Sequence, residues 1–288
     1  MSVVQLFNGL VTGSFYALVA LGLSIIFGMM RVVNFAHGAF YMLGAFGAYV
    51  LLDSWQIGFW WALILAPLAI GCFGMVLERL LFRRLYALDP LYNFLLSFAV
   101  ATIIQDAMRL RYGAQGKPYR VTSQLLSGVQ HIGSTFYPKY RLFVIVFSIL
   151  VCVVVWFLVE RTRIGMVIRA ATEKPDLTRA LGVDVDRWIT PVFGFGVALA
   201  ALGGVLAAAM QQVRPSMGED LIIVIFAVVV IGGLGSIAGS VVAGLAIGVI
   251  AAVGEAYYAQ VSSTLVFIVM AIVLLIRPAG LFGSVEGA

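Results

Sequence analysis

The most regular feature of the chain is a series of long stretches without Asp, Glu, Lys or Arg. An α-helix rises 1.5 Å per residue, so roughly 20 apolar residues cross about 30 Å of hydrocarbon. The stretches that approach or exceed this length cover residues 1–30, 32–52, 54–77, 90–105, 142–159, 188–213, 221–254 and 256–276. They predict an all-α fold, a polytopic integral membrane bundle of about eight transmembrane helices.

The stretch at 221–254 is too long for one span and short for two full spans with a turn. Its middle reads Gly232-Gly-Leu-Gly-Ser-Ile-Ala-Gly239. Clustered glycines allow a helix to break at membrane depth, provided that the freed backbone groups are buried in protein or line a watery cavity. We therefore expect two short or re-entrant helices with an interruption near 230–241, and eight or nine segments in total.

A similar interruption is predicted near 29–40. A first helix that ends near Gly28 is followed by Arg31-Val-Val-Asn-Phe-Ala-His-Gly38 and then by a helix rich in small residues. Interrupted segments in corresponding positions usually indicate a transport pathway between repeats. The two helix–break–helix units leave open whether the architecture is duplicated.

Two polar loops differ in character. Residues 109–141 carry several glycines and prolines around a strand-like segment at 119–123, which predicts a small extracytoplasmic hairpin. Residues 160–187 hold six basic and five acidic residues and look helical.

The distribution of basic residues indicates the orientation in the membrane. Placing the loop at 160–187, Arg31 and the turn at 79–84 on one side gathers ten basic residues there, against seven on the other side. An excess of Lys and Arg marks the cytoplasmic side, so the N-terminus is expected outside.

Composition narrows the class of protein. The chain is 62% hydrophobic and 11% charged, whereas soluble chains are about 25% charged. This excludes a soluble enzyme, a nucleic-acid binder and a disordered scaffold, so the net charge of +5 is attributed to membrane topology. Cys72 and Cys152 lie far apart and give no metal-ligand spacing. Since a phosphate-binding Gly-rich loop with its lysine is also missing, we expect no metal, no cofactor and no ATP hydrolysis on this chain.

The loop at 160–187 contains the pattern of one short amphipathic helix. Pro175 fits the first turn of a helix, and Gly182 fits the residue just after its end. Leu177 and Leu181 would then share one face with Ala180. Periodicity leaves two interpretations open: a helix that docks into a groove on a soluble partner, or a solvated connection on the membrane surface.

Polar side chains inside the apolar stretches are the candidates for a pathway. Intramembrane ionisable groups are costly and usually functional, which draws attention to Glu255 unless it sits at an interface. Asn34 and His37 would share a helical face and either line the route or brace the broken segment. A Ser236–His37 hydrolase is disfavoured because the glycine two residues before the serine is missing, and no catalytic residue is assigned. The pathway candidates are Asn34, His37, Tyr41, Ser97, Ser236 and Glu255.

Three G-x-x-x-G pairs predict close helix packing. Glycines at this spacing let helices approach each other where lipid supplies no hydrophobic driving force. Packing within the chain and contact between two chains are both compatible with the pattern. The pairs are Gly9/Gly13, Gly235/Gly239 and Gly244/Gly248.

One set of stretches extends along nearly the whole chain: residues 9–28, 31–38 and 41–45, the cytoplasmic-loop segments 161–165, 169–170 and 180–183, the glycine-rich 232–239 and the tail 277–283. Together and in this order, these stretches resemble the LivH-type permease subunits of branched-chain amino-acid ABC importers. The resemblance implies a single permease domain over 1–288 in the bacterial inner membrane. It also implies half of a translocation pathway for branched-chain amino acids or related small amino acids and amides.

The same resemblance implies a set of partners. They are a homologous permease, two ATP-binding subunits and a periplasmic or extracytoplasmic substrate-binding protein. Membrane lipid is also expected as a partner, and nucleic acid is not.

ABC permeases often carry Glu-Ala-Ala in a coupling helix, with a glycine six residues after the Glu. Here Asp176 precedes Gly182 by six residues, but Leu177-Thr178 replaces the alanines. The expected ATPase-coupling residues are Thr172, Glu173, Asp176, Leu177, Arg179, Ala180, Leu181 and Gly182. The alternative is a stand-alone secondary transporter or channel for a small polar solute.

Overall fold

The computed structural model describes residues 3–30, 32–86, 88–121, 123–132, 135–173, 175–257 and 262–283. The helices within these ranges are α1 (Val3–Met30), α2 (Ala36–Trp55), α3 (Phe59–Leu80), α4 (Pro90–Tyr112), α5 (Lys139–Arg161), α6 (Arg163–Glu173), α7 (Pro175–Ala180), α8 (Val185–Ala208), α9 (Met217–Gly232), α10 (Ile237–Tyr257) and α11 (Ser262–Ile276). A 3₁₀ turn covers Phe82–Leu85, and the antiparallel strands β1 (Val129–Ile132) and β2 (Thr135–Pro138) form a hairpin.

The helices confirm an all-α, multi-pass integral membrane protein. Within the described ranges, six helices are long and apolar enough to cross a bilayer, namely α1, α3, α4, α5, α8 and α10. The apolar helices α2, α9 and α11 fall outside that set. The stretch at 221–254 divides into α9 and α10, so the eight charge-free stretches correspond to nine apolar helices in the described part of the chain.

The bundle has two recognisable ends. At the hairpin end, the Tyr137 hydroxyl and the Arg141 guanidinium donate hydrogen bonds of 3.0 and 2.8 Å to Oδ1 of Asn8. At the α7 end, a Cβ added to Gly28 would lie 3.5 Å from Cγ2 of Thr172. Helix α1 therefore runs from the hairpin end to the α7 end, and the two polar loops lie at opposite ends of the molecule.

The first predicted interruption lies deep inside the bundle. Residues 32–35 are not helical, and α2 begins at Ala36. The ring atom Nε2 of His37 lies 3.0 Å from the carbonyl oxygen of Val19, which is eleven residues before the end of α1 at Met30. At 1.5 Å per residue this places the start of α2 about 17 Å from the α7 end. The expectation of a break near 29–40 is confirmed.

The second interruption covers residues 233–236 and is also confirmed. Gly233 and Gly235 have φ of +102° and +83°, a region in which residues with a Cβ are strained. The C-terminal tail closes this break, because the Leu281 and Phe282 amides donate to the carbonyls of Ile231 and Gly232 at 2.8 and 3.1 Å. These bonds satisfy carbonyls at the end of α9 that have no partner within the helix. A re-entrant path for either interrupted helix stays a prediction.

Two of the three glycine pairs face each other within the chain. Gly9 and Gly13 of α1 pack on α10, where a Cβ added to Gly248 would lie 2.1 Å from the Gly13 amide nitrogen. A Cβ added to Gly244 would lie 2.5 Å from the Ala17 nitrogen, so helix backbones are in contact along this crossing.

The third glycine pair does not act as a pair. Gly235 lies in the break outside α10, and Gly239 in the first turn of α10 packs against Gly232 of α9. Gly235/Gly239 is therefore not one helix-packing motif, because α10 begins at Ile237 and Gly235 lies before it.

One of the two polar loops, the hairpin loop, needs a correction of its boundaries. Charged residues on the exposed side of α4 allow that helix to continue to Tyr112, so the hairpin loop spans 113–138 and not 109–141. Residues 119–121 and 123 are not in a strand, and the hairpin forms later, from β1 and β2. Within 160–187, helix α6 precedes α7, in agreement with the helical character expected for this loop.

Candidate translocation and coupling sites

Helix α7 forms where proline and glycine limit it. It runs over Pro175–Ala180, and Gly182 has a left-handed φ of +85°, as the sequence predicts. Thr178 is buried and donates a 2.9 Å hydrogen bond to the carbonyl oxygen of Ala170 in α6. Leu177 and Leu181 are 56% and 77% exposed. The fold therefore anchors one side of α7 and leaves two large apolar side chains uncovered.

Ion pairs surround α7 and connect it to its neighbours. Arg179 pairs with Asp186 at the start of α8 over 3.2 Å. On the other side, Arg169 of α6 pairs with Glu160 at the end of α5. Among the other predicted coupling residues, Thr172 donates to the Ile168 carbonyl at 2.8 Å, and Ala180 is exposed. The side chains of Glu173 and Asp176 lie outside the described part of the structure.

Four of the six predicted pathway residues belong to one region around the first break. Ser97 of α4 accepts a 3.0 Å hydrogen bond from the Phe35 amide, and Oδ1 of Asn34 accepts one of 3.1 Å from the Ala36 amide. His37 follows in the first turn of α2. One turn later, the Tyr41 hydroxyl accepts a 2.8 Å bond from Nε2 of Gln211, a residue that the sequence analysis did not select.

This region contains unpaired polar atoms. Asn34 and His37 are buried, and neither Nδ2 of Asn34 nor Nδ1 of His37 has a hydrogen-bond partner among the residues that the structure describes. The other polar atom of each side chain has a partner. Oδ1 of Asn34 accepts from the Ala36 amide, and Nε2 of His37 lies beside the Val19 carbonyl. Both residues therefore brace the broken segment and keep one further polar atom available, which accommodates both interpretations of this pair.

The remaining two pathway candidates lie elsewhere. Ser236 is in the second break, where its Oγ accepts a 3.1 Å bond from the Gly239 amide and closes the first turn of α10. Glu255 is exposed near the end of α10, at the hairpin end. The structure does not bring these residues to the group around Asn34. Glu255 is placed as expected for an interfacial acid.

An intramembrane acid that sequence reasoning missed is Glu78. It is fully buried near the end of α3 and accepts hydrogen bonds from the Tyr86 hydroxyl at 2.9 Å and from the Thr190 hydroxyl of α8. Burial and the neighbouring Glu78 raise the pKa of Tyr86, which keeps its hydroxyl protonated as a donor. The charge-free stretch ended at residue 77, so Glu78 was counted with the arginines of the following turn. No local signal in the sequence set Glu78 apart from those arginines.

The site as a whole offers neutral polar groups. Among the described residues, no group of three His, Cys, Asp or Glu side chains could hold a metal ion. Hydroxyl, amide and imidazole groups at a helix break can hydrogen-bond a small polar solute without holding it tightly. This chemistry suits passage of a solute.

Comparison with known proteins identifies the family. Residues 5–276 match the family described as branched-chain amino acid transport system / permease component. The chain belongs to this family. It is 30% identical to the high-affinity branched-chain amino acid transport system permease protein BraD of Pseudomonas aeruginosa, over 98% of this chain and 96% of BraD. It is 28% identical to the corresponding LivH of Salmonella typhimurium, again over 98% and 96% of the two chains.

A second type of permease is also similar. LivM of Salmonella typhimurium is 26% identical over 77% of this chain and 57% of LivM. No solved structure matches the chain. The relatives are named as transport permeases, so family membership makes this chain a membrane permease and not an enzyme.

Proposed function

We propose that the protein is the permease subunit of an ABC importer in the bacterial inner membrane. It forms half of a translocation route for branched-chain amino acids or related small amino acids and amides. The substrate class is supported by the names of relatives that align over nearly the whole chain. The broken helix at 32–35, with neutral polar groups at membrane depth, supports a route for a small polar solute.

The observation that carries the coupling part of this proposal is the exposed apolar face of α7. Leu177 projects from a six-residue helix whose other side is fixed to α6 and α8, and Leu181 follows directly after that helix. Neighbouring exposed apolar side chains rimmed by charged residues are typical of protein-interaction sites, which supports a protein partner for this pair of leucines. We assign this partner as one of two ATP-binding subunits.

In the proposed mechanism, ATP hydrolysis on those subunits switches the conduit between outward-open and inward-open states. Coupling requires only that ATP binding favours one of the two states of the assembly. Movement of the ATP-binding subunits reaches this chain through α7, and Asn34, His37, Tyr41 and Ser97 meet the solute in the conduit. No step requires a reaction on the permease itself.

The other half of the conduit is a homologous permease. Similarity of this chain to both LivH and LivM supports an assembly built from two related permeases. A substrate-binding protein docks at the hairpin end, where Val129 and Phe136 of the hairpin are exposed. This assignment places the two soluble partners on opposite faces of the membrane, in agreement with the positions of the two loops along α1.

Reconstitution tests the proposal. The chain is co-expressed with its neighbouring permease and ATPase genes, purified as a complex, placed in proteoliposomes and supplied with the binding protein and radiolabelled leucine. We expect uptake that requires ATP and every subunit. Uptake by this chain alone would contradict the proposal and favour a stand-alone transporter or channel, and a complex that binds urea or amides would redirect only the substrate.

A further inference from the structure

The buried carboxylate of Glu78 connects two parts of the molecule that are distant in sequence. Its Oε1 accepts from the Tyr86 hydroxyl and its Oε2 accepts from the Thr190 hydroxyl, so α3 is bonded to the turn before α4 and to α8 at once. None of the ion pairs between described residues includes Glu78. A buried carboxyl group that has no cation partner relies on such hydrogen bonds. Both hydroxyls therefore help to satisfy Glu78 at this buried position.

One of the two hydroxyls, that of Thr190, belongs to α8, the next helix after α7 in the chain. The Val183 amide donates to the Thr178 carbonyl at 3.2 Å, and Arg179 pairs with Asp186 over 3.2 Å. These contacts fix α7 to the first turn of α8. Thr190 follows one turn after Asp186, so displacement of α7 reaches its hydroxyl through a single short helical segment.

A proline marks the point at which that segment can bend. Pro191 lies inside α8, immediately after Thr190. Proline has no amide hydrogen and clashes with the carbonyl of the residue four positions earlier, here Arg187, which is why it kinks helices. The first turns of α8 can tilt about this position, and the Thr190–Glu78 hydrogen bond lies beside it.

The second hydroxyl leads from Glu78 towards the first break. Tyr86 follows the 3₁₀ turn, and Nδ2 of Asn93 in α4 donates to the Leu85 carbonyl at 3.0 Å. One turn further along α4, Ser97 accepts the hydrogen bond from the Phe35 amide at the start of α2. A continuous series of bonded elements thus runs from α8 through Glu78 to the segment that carries Asn34.

We propose that Glu78 is a positioning residue for coupling, which carries displacement of α7 into α3 and, through Tyr86, to the interrupted segment at 32–35. The inference rests on the proposed function. The carboxylate bonds Thr190 on the driven side and Tyr86 on the responding side. Removing either hydroxyl breaks the hydrogen-bonded connection between the two sides while the exposed face of α7 stays intact, so we expect ATP hydrolysis to continue and movement of the conduit to be lost.

The test measures leucine uptake per ATP hydrolysed in the reconstituted complex for Thr190→Val and Tyr86→Phe. Each change removes one hydroxyl and nearly preserves the shape of the side chain. We expect ATPase activity to stay within about twofold of the unaltered complex, while uptake per ATP falls about five- to tenfold, the lower end of the range of typical coupling free energies. Thr190→Ser restores the hydroxyl and is expected to restore the ratio.

Thr102→Val is the matched control, because the Thr102 hydroxyl bonds only the Phe98 carbonyl of its own helix. A purely structural role for Thr190 would lower complex yield, ATPase activity and uptake together and leave uptake per ATP unchanged. That outcome in Thr190→Val, or an unchanged ratio in Tyr86→Phe, overturns the inference. Absence of ATP-dependent uptake by the unaltered complex would instead overturn the proposed function, and this inference with it.

Discussion

At the scale of single residues, Leu177 and Leu181 are exposed although they belong to a loop rich in charge. Their neighbours Thr178 and Arg179 are bonded into the fold, so the leucines are held outward by a fixed backbone. Truncating or charging such residues affects an interface far more than it affects folding, because they are solvated in the isolated chain.

Replacing both leucines by aspartate, in Leu177→Asp/Leu181→Asp, is expected to uncouple transport without unfolding the protein. A charge placed in an apolar interface loses its hydration, and every 1.4 kcal/mol of lost affinity is about a tenfold weaker association. We expect ATP-dependent uptake in vesicles to fall about tenfold or more, with an unchanged circular dichroism spectrum. The control is Leu177→Met/Leu181→Met, which keeps an apolar face. Unaltered uptake by the aspartate variant would contradict the docking of α7.

Some buried polar residues can be recognised in the sequence, and others cannot. Asn34, His37 and Ser97 could be selected from sequence because they interrupt apolar stretches. Glu78 could not, because three arginines follow it within six residues and the region looks like a solvated turn. Its burial results from Tyr86 and Thr190, and Thr190 is 112 positions away in the chain.

At the scale of elements, the crossing of α1 and α10 depends on small residues. Backbone atoms of the two helices meet at Gly13 and Gly248, where an added Cβ would lie 2.1 Å from the Gly13 nitrogen. Gly28, near the end of α1, is different, because the nearest atom to an added Cβ is 3.5 Å away. The same substitution is therefore expected to have different effects at two helical glycines.

Gly248→Ala is predicted to destabilise the protein and Gly28→Ala to be neutral or slightly stabilising. Overpacking costs about 1–3 kcal/mol, whereas removing glycine from an unstrained helix contributes about 0.5–1 kcal/mol. Thermal unfolding of the two variants in the same detergent measures the difference. Equal melting temperatures would show that α1 and α10 can separate at no cost, against the close contact described above.

The hairpin is the second element with a specific expectation. Replacing residues 129–136 by two glycines removes the exposed Val129 and Phe136 and keeps the bond from Tyr137 to Asn8. We expect the complex to assemble and keep its basal ATPase activity but to lose stimulation by the binding protein. The double substitution Val129→Thr/Phe136→Tyr is a milder control. Intact stimulation in the deletion variant would refute the assignment of this surface.

At the scale of the whole molecule, the interior holds very little charge. Among the described residues, Glu78 is the only buried Asp, Glu, Lys or Arg, and two hydroxyls already bind it. Secondary transporters driven by proton or sodium gradients use intramembrane acids as relays or coupling sites. The proposed function, in which ATP hydrolysis on separate subunits supplies the energy, requires no such group.

Ionophores that dissipate proton and sodium gradients are accordingly expected to leave uptake unchanged while ATP is supplied. The measurement uses proteoliposomes that contain the complete complex and ATP on the side of α7. A non-hydrolysable ATP analogue serves as the control and is expected to abolish uptake. Uptake that collapses with the gradient, at constant ATP, would favour the secondary-transporter alternative.

Local signals in the sequence determined much of this architecture. The length of charge-free stretches, the glycines at 232–239 and the pair Pro175 and Gly182 each act within a few turns of helix. The bilayer thickness, the conformational freedom of glycine and the restricted φ of proline apply to them directly. The sequence could therefore predict the class of helical membrane protein, both interruptions and the position of α7. It misplaced helix ends where charged residues lie on exposed helical faces, as in α4.

Only the tertiary structure decided which residues meet. The pairing of Gly13 with Gly248, the separation of Ser236 and Glu255 from the group around Asn34, and the burial of Glu78 all depend on contacts between helices that are distant in sequence. One chain carries no record of such contacts in its local periodicity, because every apolar helix presents several faces that could pack. The two interrupted helices were determined by sequence, and the polar groups that surround the first of them were determined by packing.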